Sequence, residues 1–123
     1  MKLYHGTDLQ GFLKIMENDY IQSPSFQLFN GNMEPVTYFA KTFEQAFLHG
    51  TYIFEIEVND LQFINNFLGM NDETSEGDFV IISSVYVSEK TQEEDELKVS
   101  KIYIPNIDYD LDDKIQECYP TSL

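Results

Sequence analysis

The chain has 123 residues, with 22 acids against seven lysines, no arginine and a formal net charge of -15. That balance excludes a duplex-binding surface of the usual basic kind and an arginine-fork grip on phosphate. A hydrophobic fraction of 42%, with eight Tyr and ten Phe, excludes a disordered composition, and no apolar run approaches the ~20 residues of a membrane span.

One domain over residues 1–123 is expected, with a core at about residues 3–104 and an acidic tail at 105–123. The N-terminus lacks the apolar segment and small-residue cleavage site of a secretory signal. The single Cys118 suits a reducing compartment, so a cytoplasmic protein is the expectation. Any phosphate must be met by backbone N–H groups, hydroxyls or a lysine. The acidity itself favours solubility, a basic protein partner or imitation of nucleic acid.

The first strand is Leu3-Tyr4-His5-Gly6-Thr7. His5 can hydrogen-bond a ligand through either ring nitrogen. Gly6 lacks a Cβ, which lets a ligand approach its backbone. Thr7 and Asp8 can cap the helix that follows, over Asp8 to about Asn18, with Leu9, Phe12, Leu13 and Met16 as its apolar face. Residues 19–35 read as a long connection of the kind that forms lids and binding loops.

Val36 to Ala40 is the second strand, and Thr42-x-x-Gln45 is a capping box opening a helix to about His49. Thr51 to Val58 alternates with period 2, so one face should be inward and the other wet at Glu55 and Glu57. Leu61 to Leu68 is a short helix. Gly69 to Gly77 is an acidic loop. Phe79–Ile82 and Val85–Val87 form one long strand or two short ones. Glu89 to Glu96 reads as a charged hairpin connection into a strand over Leu97 to Ile104, which Pro105 ends. Beyond it lies a last helix near Leu111–Glu117 or a tail.

Three features follow one another: His5-Gly6-Thr7 closing a strand, Tyr38-Phe39-Ala40 before a capped helix, and Asp78-Phe79-Val80-Ile81 opening a strand after a loop. Their order resembles the ADP-ribosyltransferase superfamily, in the branch with a His–Tyr–acid triad that holds diphtheria-toxin-like enzymes and poly(ADP-ribose) polymerases. The resemblance implies an α+β fold, a split pair of small antiparallel sheets with two to three short helices and an NAD+ cleft between them. It implies that His5 bonds the adenosine-side ribose of NAD+ and that Gly6 backbone groups hold the nicotinamide amide. Tyr38 would stack on the nicotinamide ring, with Thr7 and Phe39 beside the cofactor. A carboxylate would stabilise the charge that develops at C1′. The family places Glu at that position. Asp78 abuts the apolar strand as the family acid does, while Glu76, two residues earlier, is the other candidate.

These features support an NAD+-dependent mono-ADP-ribosyltransferase acting on a macromolecule, most readily a basic protein. Small acidic transferases of this look occur among phage-encoded modifiers of host machinery, including an anti-CRISPR enzyme, and among bacterial toxins. The RNA 2′-phosphotransferases share a similar His-Gly-Thr stretch but rely on arginines, which are absent here. The alternative is an inhibitor whose charge imitates nucleic acid and which binds without catalysis. No metal site is expected from His5, His49 and one isolated Cys.

Overall fold

The computed structural model describes residues 1–21, 26–27, 33–34, 37–67, 79–81, 85–88, 96–105 and 118–121. In chain order the elements are β1 (Lys2–Thr7), α1 (Leu9–Asn18), β2 (Tyr20–Ile21), β3 (Phe26–Gln27), β4 (Met33–Glu34), β5 (Thr37–Phe39), α2 (Phe43–Phe47), β6 (Tyr52–Glu57), α3 (Asp60–Asn66), β7 (Phe79–Ile81), β8 (Val85–Tyr86), β9 (Leu97–Pro105) and β10 (Cys118–Thr121). The class is α+β, as expected.

The main sheet runs β1-β6-β9-β8-β2, with β10 also paired to β9; β3-β4 and β5-β7 are separate two-stranded pairs. A single bridge between Tyr4 and Ala40 hangs β5 on the outer edge of β1. At its other end β5 meets β2, where Thr37 Oγ1 donates to Ile21 O at 3.5 Å. The sheet is therefore curled. The arrangement differs from the expected split pair of small antiparallel sheets: one six-stranded sheet stands beside two two-stranded pairs, and the large sheet is mixed. β8 runs parallel to β9, with Val85 opposite Leu97. Residues 89–96 accordingly join parallel strands and do not make a hairpin; a parallel pair needs a longer crossover. Of the two alternatives expected for this stretch, one long strand or two short ones, the structure has the two short ones, because β7 pairs with β5 and β8 with β2 and β9.

Local chemistry explains the helix starts. Asp8 caps α1 by accepting from Gly11 N at 2.8 Å. Asp19, at a positive φ of 67°, closes its end by donating to Ile15 O. Thr42 caps α2 by accepting from Gln45 N. Asn59 forms a full capping box with Gln62 that starts α3. Such a cap contributes about 1 kcal/mol. Asn59→Ala should therefore lower the unfolding free energy by that amount, seen as a lower urea midpoint with an unchanged slope in equilibrium denaturation.

Two apolar clusters lie on opposite faces of β1 and β6. The larger gathers Leu3, Ile21, Phe39, Phe54, Ile56, Phe79, Ile81, Val85, Leu97 and Ile102 beneath Phe12, Ile15 and Met16 of α1 and Phe63 of α3. The smaller gathers Ala40, Ala46, Phe47 and Ile53, with Tyr4, Phe43 and Tyr103 packed on it. Because α2 covers this second face, Glu55 is buried (2% exposed), contrary to the wet position expected from alternation. The apolar face of α1 is also displaced from the expected one: Leu9 and Leu13 are exposed. The end of the expected tail is part of the sheet, since β10 pairs with residues 102–105 of β9. The rest of that tail, with the proposed helix near Leu111–Glu117, lies outside the described residues.

Candidate functional site

The site is built on the edge of β1 that faces β5. Tyr4 and Ala40 exchange both backbone hydrogen bonds, at 2.9 and 2.7 Å. In an antiparallel ladder the next such pair lies two residues on, which here is Gly6 opposite Tyr38. That pair is not formed: the Tyr4–Ala40 bridge stands isolated. Tyr38 O instead faces His5 Nδ1 at 2.9 Å. The backbone groups of Gly6 share the direction of those of Tyr4, away from β6. Gly6 N–H and C=O thus face the side of β1 on which the pairing with β5 stops and leaves a gap in the ladder.

Side chains flank this gap from two faces. His5 is half-buried, with its ring 5.5 Å from that of Phe39. Tyr38, the residue before Phe39, points by strand alternation to the other face, where 47% of it is exposed. A planar group entering the gap would meet the imidazole side of the strand pair on one face and the phenol on the other. The structure therefore brings His5, Gly6 and Tyr38 together across 33 residues of chain.

The remaining sequence candidates divide. Phe39 is fully buried and forms the floor under His5 rather than the lining of an opening. Thr7 turns toward α1: a Cβ on Gly11 would lie 1.9 Å from Thr7 Oγ1. Asp78 and Glu76 lie outside the described residues. Phe79, which follows Asp78, is paired with Phe39. The absence of a Cβ at Gly6 has a different use from the one expected. A methyl there would stand 1.9 Å from Ala46 O, so the bare Cα admits the end of α2, and what remains open is the hydrogen-bonding edge.

Sequence reading missed a second polar group on the α2 face. Tyr103 Oη donates to Glu55 Oε1 at 2.9 Å, and Ser100 Oγ lies 3.1 Å from Glu55 O and 3.4 Å from Oε2. Ser100 reaches both because β6 and β9 change register between Glu55 and Ile56. The one signal was an acid inside the otherwise apolar run Ile53 to Ile56. Burial, the hydrogen bond to Glu55, the Glu55 charge and Tyr4 push the Tyr103 phenol up to about 12. Tyr4 is also raised, by burial and then by the charges of Glu55 and Glu44. A folded-state value above the unfolded one means that the folded form holds its proton longer. The Tyr103 contribution is complete below about pH 10, the unfolded phenol value. It is lost as pH rises through about 12. Melting temperature measured against pH should fall over that window, and Tyr103→Phe should flatten the fall.

Lys41 lies past the bridge, its Nζ 5.7 Å from the centre of the Phe79 ring. Among the described residues no group of three or more His, Cys, Asp and Glu is placed to hold a metal ion, and no helix is long and apolar enough to cross a membrane. No protein-family model, curated protein or solved structure matches the chain.

Proposed function

We propose that this protein is an NAD+-dependent mono-ADP-ribosyltransferase with a split-sheet, ADP-ribosyltransferase-like fold, acting in the cytoplasm on a basic protein. The observation that carries the reading is the ladder that opens at Gly6. A carboxamide offers one acceptor and a pair of donors. Gly6 offers the complementary N–H and C=O on one open edge, with an exposed aromatic ring on the adjoining strand. A nicotinamide group fits those three requirements at once.

In this reading Gly6 orients the amide and Tyr38 lies over the pyridinium ring. His5 hydrogen-bonds a ribose hydroxyl. Asp78 or Glu76 supplies the fixed negative charge that an oxocarbenium-like transition state requires. NAD+, when bound, supplies the C1′–N bond that breaks to release nicotinamide while C1′ bonds to the acceptor, whose proton passes to water. The charge of -15 would draw in a target of opposite sign and raise the encounter rate at low salt.

The test is release of nicotinamide from NAD+ with and without a host lysate, alongside transfer of labelled ADP-ribose to protein. Activity that falls in Asp78→Ala or in Glu76→Ala supports the reading and identifies the working acid. No release and no labelled product from the wild type refutes it.

The same net charge, with no arginine to offset it, favours a second reading: stoichiometric blockade of a basic groove. That reading predicts one inhibitor per target and no dependence on NAD+.

A further inference from the structure

We infer that His5 is the wedge that keeps the β1–β5 ladder open, a positioning role distinct from any contact it makes with a ligand. The inference gives the site proposed above a built-in means of staying accessible, and in that respect it rests on that reading.

Two adjacent antiparallel strands by default extend their ladder from one pair to the next. After one completed pair at Tyr4 and Ala40, the chain has already fixed the register. Closing Gly6 onto Tyr38 would add two more backbone hydrogen bonds at no further loop-closure cost. Something must oppose that closure. On the Phe39 face of the junction stands the His5 side chain. The His5 imidazole stands against the Phe39 ring, with Nδ1 2.9 Å from Tyr38 O, the acceptor that Gly6 N–H would otherwise use.

A neutral imidazole that donates from Nδ1 satisfies the Tyr38 carbonyl and holds it off the ladder position. Phe39, fully buried, fixes the ring from below. From behind, Gly6 cannot retreat to relieve the splay, because its Cα already abuts Ala46 O at the end of α2. The open edge is thus held from three directions, and the His5 contact is one that can be removed by changing a side chain at the gap itself.

The experiment is residue-resolved amide exchange by NMR on the ligand-free full chain. In the wild type, Gly6 and Tyr38 N–H should exchange rapidly. Leu3 and His5 N–H, which face β6, should be protected. In His5→Ala, and equally in His5→Ser, the ladder should close and protection of Gly6 and Tyr38 should rise about tenfold or more. His5→Asn places an amide N–H close to the Nδ1 position and should keep both amides fast. Nicotinamide affinity should fall about tenfold in His5→Ala and recover in His5→Asn.

A contact confined to a ribose would leave Gly6 exchange unmoved. Wild-type Gly6 protected as strongly as His5 would overturn the inference, whichever variants fold. So would unchanged protection in both small-residue variants, or a rise in His5→Asn equal to theirs. If exchange behaves as expected but nicotinamide does not bind the wild type, the wedge stands and the transferase reading falls.

Discussion

Gly6→Ala is expected to cost the fold about 3 kcal/mol, the upper part of the range for overpacking a tight contact. Gly50→Ala should cost a similar amount. The two glycines interlock the start of the chain with the end of α2. A Cβ on Gly6 would lie 1.9 Å from Ala46 O and 2.7 Å from Ala46 C; one on Gly50 would lie 2.1 Å from Thr7 C and 2.2 Å from Thr7 O. All four of these atoms are backbone, so no flexible side chain can swing aside. Either α2 lifts from β1, opening the cluster of Ala40, Ala46, Phe47 and Ile53, or β1 shifts against β6. Urea denaturation measures the loss directly, and a melting temperature lower by about 10 °C is the equivalent for a domain of this size. A loss under about 1 kcal/mol in both variants would mean that α2 is not seated on β1 as described.

The parts of this fold that follow from short-range chemistry were legible in the sequence. Asp8, Thr42 and the end of α1 at Asn18 are where cap residues put them. β6 and β9 were legible from their apolar runs, although β9 includes Pro105, which was expected to end it. What was not legible depends on what covers a strand from afar. Glu55 alternates like a surface residue, and only the seating of α2 on that face buries it. The direction of β8 against β9 was not legible, because a charged run between two apolar strands is the same string of residues whether the strands then lie parallel or antiparallel. Leu9 and Leu13 share the helical period with Phe12 and Met16, yet the stripe that packs is centred on Phe12, Ile15 and Met16.

The candidate site shows the same division. His5 and Tyr38 could be singled out as residue types at strand ends. Their meeting depends on the register set by the Tyr4–Ala40 bridge, and the gap depends on the failure of the next pair to form. Neither is encoded locally. Lys41 over Phe79 belongs with them: the pairing of β5 with β7 creates that contact, and no spacing in the chain announces it.

Tyr38→Ala should separate fold from function more cleanly than any other change at the site. Its side chain is half exposed and its strand neighbours Thr37 and Phe39 are fully buried. The strand is therefore held by those neighbours, and the substitution should cost less than about 1 kcal/mol of stability, within the span of strand propensities. Under the transferase reading, losing the ring removes a stacking partner worth about 1–3 kcal/mol. That corresponds to a loss of roughly tenfold to a hundredfold in nicotinamide release per unit of free NAD+. Tyr38→Phe retains the π-face and should stay within about threefold of wild type, which distinguishes stacking from any use of the phenol hydroxyl. Steady-state release assays on the three proteins, paired with their melting curves, give both readouts. Equal turnover in Tyr38→Ala and wild type would remove Tyr38 from the site while leaving Gly6 as the only anchor for an amide. The transferase reading would not survive that, because one backbone edge cannot orient a ring against displacement along the gap.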